Sequence, residues 1–220
     1  MNTAADAQSL KEKGYDSIVI AAGTVQNRPP VEGINNKNVV FAVDVLNDRN
    51  IVKDAEDIVV IGGGVVGAET AYVLRYELNK NVKVVEMDKY IMNHVCTANR
   101  GHLIHYLEEG GVELLNMTTL KKVEDGRIVV EQNINKNVPN PYITWSPILP
   151  ENVENPMDAL RPIKNEPVTR ELKADMVVLA AGNRSAIDIY YDCVKNHSAA
   201  EIFNVGDSFK GARVFEAVRS

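Results

Sequence analysis

The stretch DIVVIGGGVVGAETA, from Asp57 to Ala71, decides the fold. A run of Val and Ile enters a glycine-rich turn, and the turn enters an amphipathic segment that predicts a helix. Gly62, Gly64 and Gly67 have the G-x-G-x-x-G spacing of a dinucleotide-binding turn. In such a turn the first glycine permits the bend, the second lets the backbone approach a pyrophosphate, and the third allows close packing of helix on strand. The alternative, a glycine-rich turn that binds nothing, is disfavoured by this strand-turn-helix context.

Glu86 is the candidate that distinguishes between nicotinamide cofactors. It closes the next predicted strand, Val82–Glu86, near the offset of about 20 residues from the first glycine at which an acid contacts the adenosine ribose. A carboxylate at this place accepts hydrogen bonds from the ribose but repels a 2′-phosphate. The residues that follow, Met87 to Tyr90, include one lysine and no arginine. The sequence therefore favours NAD(H) over NADP(H), the alternative being that Glu86 is a solvated strand end.

The remaining candidate contacts lie in the same turn and helix. Glu69 is predicted to occupy the first helical turn, where a carboxylate favours the positive end of the helix dipole. It is either a helix-start acid or a group near the nicotinamide end of the ligand, and the sequence leaves both open. The cofactor-binding residues predicted here are Gly62, Gly63, Gly64, Val65, Val66, Gly67, Glu69, Glu86 and Met87.

Neither a catalytic residue nor a metal site is predicted. His102 and His105 lie three apart on a predicted helix without a third ligand, so an exposed helix face is favoured. Cys96 and Cys193 form no C-x-x-C pair, and both are predicted to be buried thiols. No Ser-His-Asp order or carboxylate pair indicates hydrolysis.

Composition excludes two classes of partner. The chain carries 24 Lys and Arg against 30 Asp and Glu, a net charge of −6, and no basic block of the kind that binds nucleic acid. Its longest apolar runs are far shorter than the roughly 20 residues that span a bilayer, and its N-terminus lacks a signal-peptide core. We therefore expect a cytoplasmic protein that binds neither nucleic acid nor membrane.

Alternating apolar runs and amphipathic segments predict an α/β fold around a parallel sheet. Two further runs read as a hairpin, because the Asp125-Gly126 pair between them tolerates positive φ. A segment from Pro139 to Pro167 holds seven of the nine prolines and is predicted to be an excursion without regular structure. The predicted strands are 17–22, 57–61, 82–86, 112–115, 174–180 and 201–205, the hairpin pairs 118–123 with 127–131, and helices are predicted at 4–13, from 67 to 78, from Thr97 to Gly110 and at 214–219.

The sequence resembles a known family. Gly62 to Ala71 is similar to the G-G-G-x-x-G-x-E-x-A signature of the NADH domain in two-dinucleotide flavoprotein reductases. Two strand-Ala-Ala-Gly segments, ending at Gly23 and Gly182, resemble the A-T-G motifs where those chains cross between the FAD and NADH domains. The segment that ends in Gly206-Asp207 resembles their late G-D motif, whose acid contacts the FAD. The resemblance implies a Rossmann-like three-layer NAD(P)-binding domain with a parallel sheet, a small antiparallel β-meander and partial FAD-domain segments.

Within this superfamily, the Pro-rich stretch from Asn137 to Asn152 is similar to an insertion in clostridial 2-enoate reductases, which group with 2,4-dienoyl-CoA reductase and trimethylamine dehydrogenase. The resemblance implies that NADH passes a hydride to FAD, and that electrons continue through an iron-sulfur cluster to FMN on an N-terminal barrel that reduces the enoate. This sequence has no barrel, no cluster cysteines and no early G-x-G-x-x-G for FAD. We therefore expect a fragment whose partners are NADH and the missing FAD-domain and barrel portions, and which retains no FAD.

The resemblance implies three segments. Residues 1–53 would be a partial FAD-domain segment and crossover, residues 54–181 the NADH domain with its insertion at 133–170, and residues 182–220 a second, truncated FAD-domain segment. Two other functions remain open at this stage. One is a non-catalytic dinucleotide-binding module that acts as a sensor or assembly partner. The other is a methyltransferase that uses S-adenosylmethionine, which explains neither Glu69 nor the repeated Ala-Ala-Gly segments.

Overall fold

The computed structural model describes residues 3–93, 95, 97–145, 153 and 155–211. Its contacts divide the chain into two compact units. The smaller combines Met1–Asn27 with Asn183–Ser220, and the larger is Arg28–Gly182. Residues 28–53, assigned above to the FAD-domain segment and crossover, therefore cluster with the larger unit. The predicted helix at 214–219, His94 and Cys96 lie outside the described residues.

The described residues form five α-helices and twelve strands. The helices are α1 Ala7–Glu12, α2 Ala42–Asn47, α3 Val65–Tyr72, α4 Thr97–Glu109 and α5 Asp188–Asn196, with a π-helical turn at Val73–Glu77 and 3₁₀ turns at Arg49–Val52, Pro156–Leu160 and Gly206–Ser208. The strands are β1 Ser17–Ile20, β2 Thr24–Gln26, β3 Val39–Phe41, β4 Asp57–Ile61, β5 Asn81–Val85, β6 Glu113–Leu115, β7 Thr118–Glu124, β8 Arg127–Asn133, β9 Pro167–Lys173, β10 Met176–Leu179, β11 Asn183–Ser185 and β12 Glu201–Asn204.

The centre of the larger unit is a five-stranded parallel sheet in the order β3-β10-β4-β5-β6. Strand β4 is buried on both faces, which explains its unbroken run of Val and Ile. Its side chains alternate between two cores: Ile58 and Val60 belong to one, and Val59 and Ile61 belong to the other. The sheet is therefore the middle of three layers.

Helices α2, α3 and α4 supply the layer on the Ile58 face. The helix predicted from 67 to 78 packs on the sheet, since Ala71 and Leu74 have no exposed surface, although α3 changes to a π-helical turn at Val73. On α4, Ile104 and Leu107 are fully buried in the same core. His102 and His105 are exposed, as the sequence predicted for that helix.

An antiparallel sheet in the order β7-β8-β9 supplies the layer on the Val59 face. Strands β7 and β8 are the predicted hairpin. The prediction that Pro139 to Pro167 lacks regular structure was wrong at Pro156–Leu160, which form a 3₁₀ turn, and the unpredicted strand β9 begins at Pro167 and pairs along the whole of β8. Strand β9 was missed because Leu172 is its only fully buried side chain, so it lacks the alternation that identifies a half-buried strand.

The smaller unit has its own core. Strand β1 pairs in parallel with β12, and β2 pairs antiparallel with β11. Ala7, Ile18, Ile20 and Cys193 are the buried side chains of its core, so the predicted burial of the Cys193 thiol is confirmed. Strand β1 ends at Ile20, two residues before the predicted end. Among the described residues of the whole chain, no helix is long and apolar enough to cross a membrane.

Candidate dinucleotide site

The glycine turn lies at the carboxyl end of β4, where parallel sheets bind nucleotides. Gly62 has φ +106°, a conformation that disfavours any side chain, and its amide donates to the carbonyl of Val85 at 2.8 Å. A Cβ on Gly62 would lie 2.3 Å from the carbonyl oxygen of Ala180. The turn therefore requires glycine at its first position, because the chain passes between the ends of β5 and β10.

Gly67 and Gly64 meet opposite surroundings. A Cβ on Gly67 would lie 1.8 Å from the carbonyl oxygen of Gly62, so α3 approaches the turn as closely as a bare backbone allows. A Cβ on Gly64 would have no atom within 4 Å, and Gly64 is exposed. The turn is thus closed on its protein side and open at the glycine that the sequence assigned to the pyrophosphate.

Helix α3 begins at Val65, directly behind this open position. Its first intrahelical bond runs from the Ala68 amide to the Gly64 carbonyl at 3.0 Å, and the amides of Val65, Val66 and Gly67 precede it. The amides of a first helical turn have no carbonyl partner within the helix and point toward bound anions. These residues therefore fit a pyrophosphate.

Glu86 lies at the edge of the same turn. Its Oε2 accepts a hydrogen bond from the Gly63 amide at 2.6 Å, and its Oε1 accepts one from the Asp88 amide at 2.7 Å. Its own backbone continues the sheet, since its amide donates to the Leu115 carbonyl at 2.9 Å. The carboxylate is therefore held in one position beside the glycine turn, with further acceptor capacity on both oxygens.

The segment after Glu86 wraps around the turn, which sequence reasoning missed. The Met92 amide donates to the Gly63 carbonyl at 2.7 Å, and Ile91 is fully buried beneath the turn. Met87 is 70% exposed beside Glu86. The positive φ of Met92, +52°, marks the bend, but a methionine carries no sequence signal for it.

Glu69 is the exception among the predicted residues. Because α3 begins at Val65, Glu69 belongs to the second turn of the helix, and the first turn contains no acid. The prediction that it complements the helix dipole in the first turn was wrong, because the helix starts before Gly67 rather than at it. Glu69 is exposed, and its contact with a nicotinamide stays a prediction.

The predicted FAD contacts lie mainly in the smaller unit. Gly23 follows β1 with φ +71°, and Gly206 follows β12 with φ +64°. Because β1 and β12 are parallel neighbours, Gly23 and the Gly206-Asp207 pair follow the same ends of two adjacent strands. Gly182, in the larger unit, follows β10 with φ +75° and is exposed.

The similarity to known proteins agrees with this geometry. The family model described as "Pyridine nucleotide-disulphide oxidoreductase" matches residues 2–202. The chain belongs to this family. Its members are flavin-dependent pyridine nucleotide oxidoreductases, and membership argues against the methyltransferase considered above.

Two curated proteins and one solved structure are among those similar to this chain. Cinnamate reductase of Clostridium sporogenes is 32% identical over 143 residues, which are 64% of this chain and 21% of that protein. Bilirubin reductase of Mediterraneibacter gnavus is 34% identical over 140 residues, 63% of this chain and 21% of that protein. The structure of a 2-naphthoyl-CoA reductase in complex with 2-naphthoyl-CoA superposes with a TM-score of 0.71 at 25% identity, covering 99% of this chain and 28% of that one. The matched part of this chain is thus about a fifth of the length of the two curated relatives.

Proposed function

We propose that this chain is the NADH-binding, electron-input part of a flavin-dependent reductase that reduces the carbon-carbon double bond of a 2-enoate. Family membership supports the assignment to flavin-dependent reductases that use a pyridine nucleotide. The relative named cinnamate reductase supports the assignment of a 2-enoate as the substrate, because cinnamate is itself a 2-enoate. The similarity of the Pro-rich insertion to that of 2-enoate reductases points to the same substrate class.

One observation carries the choice of NADH: the Glu86 carboxylate is fixed 2.6 Å from the Gly63 amide at the edge of the open glycine turn. In this position it accepts hydrogen bonds from an adenosine ribose and opposes a 2′-phosphate by like charge. The amides at the start of α3 would hold the pyrophosphate, and Gly64 leaves the space for it. When bound, NADH supplies the hydride for the flavin, while these residues bind and orient it.

The FAD contacts are proposed from the resemblance of three segments to motifs of two-dinucleotide flavoprotein reductases. Gly23, Gly182 and the Gly206-Asp207 pair would contribute to FAD binding. We further propose that the remainder of a longer polypeptide supplies the rest of the FAD domain and a barrel with FMN and an iron-sulfur cluster. The short share of each relative that this chain covers supports that arrangement.

Calorimetric titration of the chain with NADH and with NADPH tests the proposal. We expect NADH to bind at least roughly tenfold more tightly, because the 2′-phosphate of NADPH would meet the Glu86 carboxylate. Equal or tighter binding of NADPH would contradict the assignment of Glu86, and failure to bind either dinucleotide would contradict the assignment of the site.

A further inference from the structure

The segment that follows Glu86 contains a single cationic side chain. From Glu86 to Met92 the sequence is Glu-Met-Asp-Lys-Tyr-Ile-Met, so Lys89 is the only Lys or Arg in the segment that directly follows this acid. Dinucleotide-binding folds that accept a 2′-phosphate hold it with a cation in this region. The availability of Lys89 therefore bears on the choice between NADH and NADPH.

The Lys89 ammonium is already engaged by the Pro-rich insertion, which the structure confines to residues 134–166 between β8 and β9 rather than the predicted 133–170. Its Nζ forms an ion pair with Asp158 in the 3₁₀ turn Pro156–Leu160, and it lies 5.2 Å from the centre of the Tyr90 ring. The Lys89 side chain is 23% exposed and the Asp158 side chain 50% exposed. The ammonium is thus directed toward an acid that lies 69 residues further along the chain.

The backbone of Lys89 is linked to the same insertion through the Asn116 side chain. Asn116, which follows β6, donates from Nδ2 to the Lys89 carbonyl at 2.8 Å and to the Pro139 carbonyl at 3.0 Å. Partial burial lowers the pKa of Lys89, but the hydrogen bond to Asp158 and the nearby Tyr90 and Asp158 outweigh it and raise this pKa above its usual value. The lysine therefore stays charged and paired at physiological pH.

We infer that Asp158 is a specificity-determining residue for the coenzyme, because its ion pair withholds Lys89 from a 2′-phosphate. The inference rests on the proposed function and adds a second determinant to it. Glu86 repels the phosphate directly, whereas Asp158 engages the cation of the segment that follows Glu86. The Pro-rich insertion thereby contributes to the dinucleotide site from outside the parallel sheet.

The strength of the Lys89–Asp158 ion pair limits how much the affinity for NADPH can rise when the pair is broken. A partly exposed pair is worth little, so releasing Lys89 should improve the affinity for NADPH by about fivefold at low ionic strength. The affinity for NADH should not change, because NADH carries no 2′-phosphate. The gain should shrink as salt screens the lysine and the phosphate.

The test compares dissociation constants for NADH and NADPH in three variants and the wild type. Asp158→Asn should tighten NADPH binding by about fivefold and leave NADH binding unchanged. Adding Lys89→Gln to it should abolish the gain. Glu171→Gln removes one carboxylate from exposed β9, and as a charge-matched control it should leave both constants unchanged.

Asp158→Asn should fold normally, because the backbone bonds of Asp158 to Asn155 and Arg161 do not involve its carboxylate. An unchanged ratio of NADPH to NADH affinity in this variant would overturn the inference, and so would a gain that persists without Lys89. Failure of the wild type to bind NADH would instead overturn the proposed function, and the inference with it. The two failures are distinguished by the wild-type titration alone.

Discussion

At the scale of single residues, Gly64 and Gly67 have different roles: we expect Gly64 to leave space for the ligand, and Gly67 allows the close packing of α3 on the turn. Both belong to the G-x-G-x-x-G pattern, yet a Cβ on Gly67 would collide with the Gly62 carbonyl, whereas one on Gly64 would meet nothing within 4 Å. Gly64 has φ −69°, which any residue adopts. The two positions therefore differ in what an added methyl group costs.

Gly67→Ala should lower the free energy of unfolding by about 3 kcal/mol, because α3 must move away from the turn. Gly64→Ala should cost less than about 1 kcal/mol, mostly as a poorer N-cap, yet it should weaken NADH binding roughly tenfold by filling the space for the pyrophosphate. Urea unfolding and calorimetry measure the two effects. A Gly64→Ala variant that binds NADH like the wild type would show that the pyrophosphate lies elsewhere.

The sequence correctly predicted close packing at Gly67, because that packing is local to the turn, and the pyrophosphate contact of Gly64 stays a prediction. It did not predict that the Glu86 carboxylate bonds to the Gly63 amide, because that contact joins two strand ends 23 residues apart. It also placed Glu69 one helical turn too early. The helix start depends on where the backbone leaves the turn, which the glycine spacing alone does not specify.

At the scale of elements, the start of β10 is joined to the start of β4 by Asp175. Its Oδ2 accepts hydrogen bonds from the amides of Glu56 at 2.9 Å and Asp57 at 2.8 Å. Its own amide donates to the Asp57 carbonyl at 2.8 Å. These bonds fix the register between two central strands, both of which end at the candidate dinucleotide site.

The pH dependence of the stability of an Asp175→Asn variant tests this connection. The amides of Asp57 and Glu56 hold the pKa of Asp175 below its ordinary value of 3.8, so the ionised form stabilises the fold. This stabilisation is complete above pH 3.8 and is lost as the pH falls through the lower pKa of the folded state. We expect the variant to be less stable by at most about 1 kcal/mol at neutral pH, since the group is largely solvated.

Urea unfolding at several pH values measures that difference, which should narrow below pH 3.8. Asp125→Asn, in the exposed turn between β7 and β8, is the charge-matched control and should show no such narrowing. A deficit that is constant with pH would mean that the carboxylate charge is not what stabilises the strand pair.

At the scale of the whole molecule, the two units have separate cores of unequal size. The smaller is formed by Ala7, Ile18, Ile20 and Cys193, whereas the larger unit fills both faces of a five-stranded sheet. Since stability grows with buried apolar area, the smaller unit should unfold first. The buried Cys193 thiol provides a probe of that event.

In a Cys96→Ser background Cys193 is the only cysteine, because the chain has two. We expect a thiol reagent to label it at lower urea concentration than that of the main circular dichroism transition. Leu74→Ala should lower the free energy of unfolding measured by circular dichroism by about 3 kcal/mol and leave the urea dependence of the labelling unchanged. Ile20→Val should lower the free energy of the opening that exposes Cys193 to the reagent by about 1 kcal/mol. Equal shifts of both by Leu74→Ala would indicate one cooperative unit.

The sequence by itself determined the strand-turn-helix and its three glycines, because these depend on short-range backbone geometry, and it predicted the candidate dinucleotide site at this turn. Only the tertiary structure showed that β9 completes the antiparallel sheet, that Glu86 holds the Gly63 amide, and that Asp158 pairs with Lys89. Each of these contacts joins segments that are distant in the chain. Local periodicity and spacing carry no information about such pairs, since their geometry exists only after the sheet has brought the strand ends together.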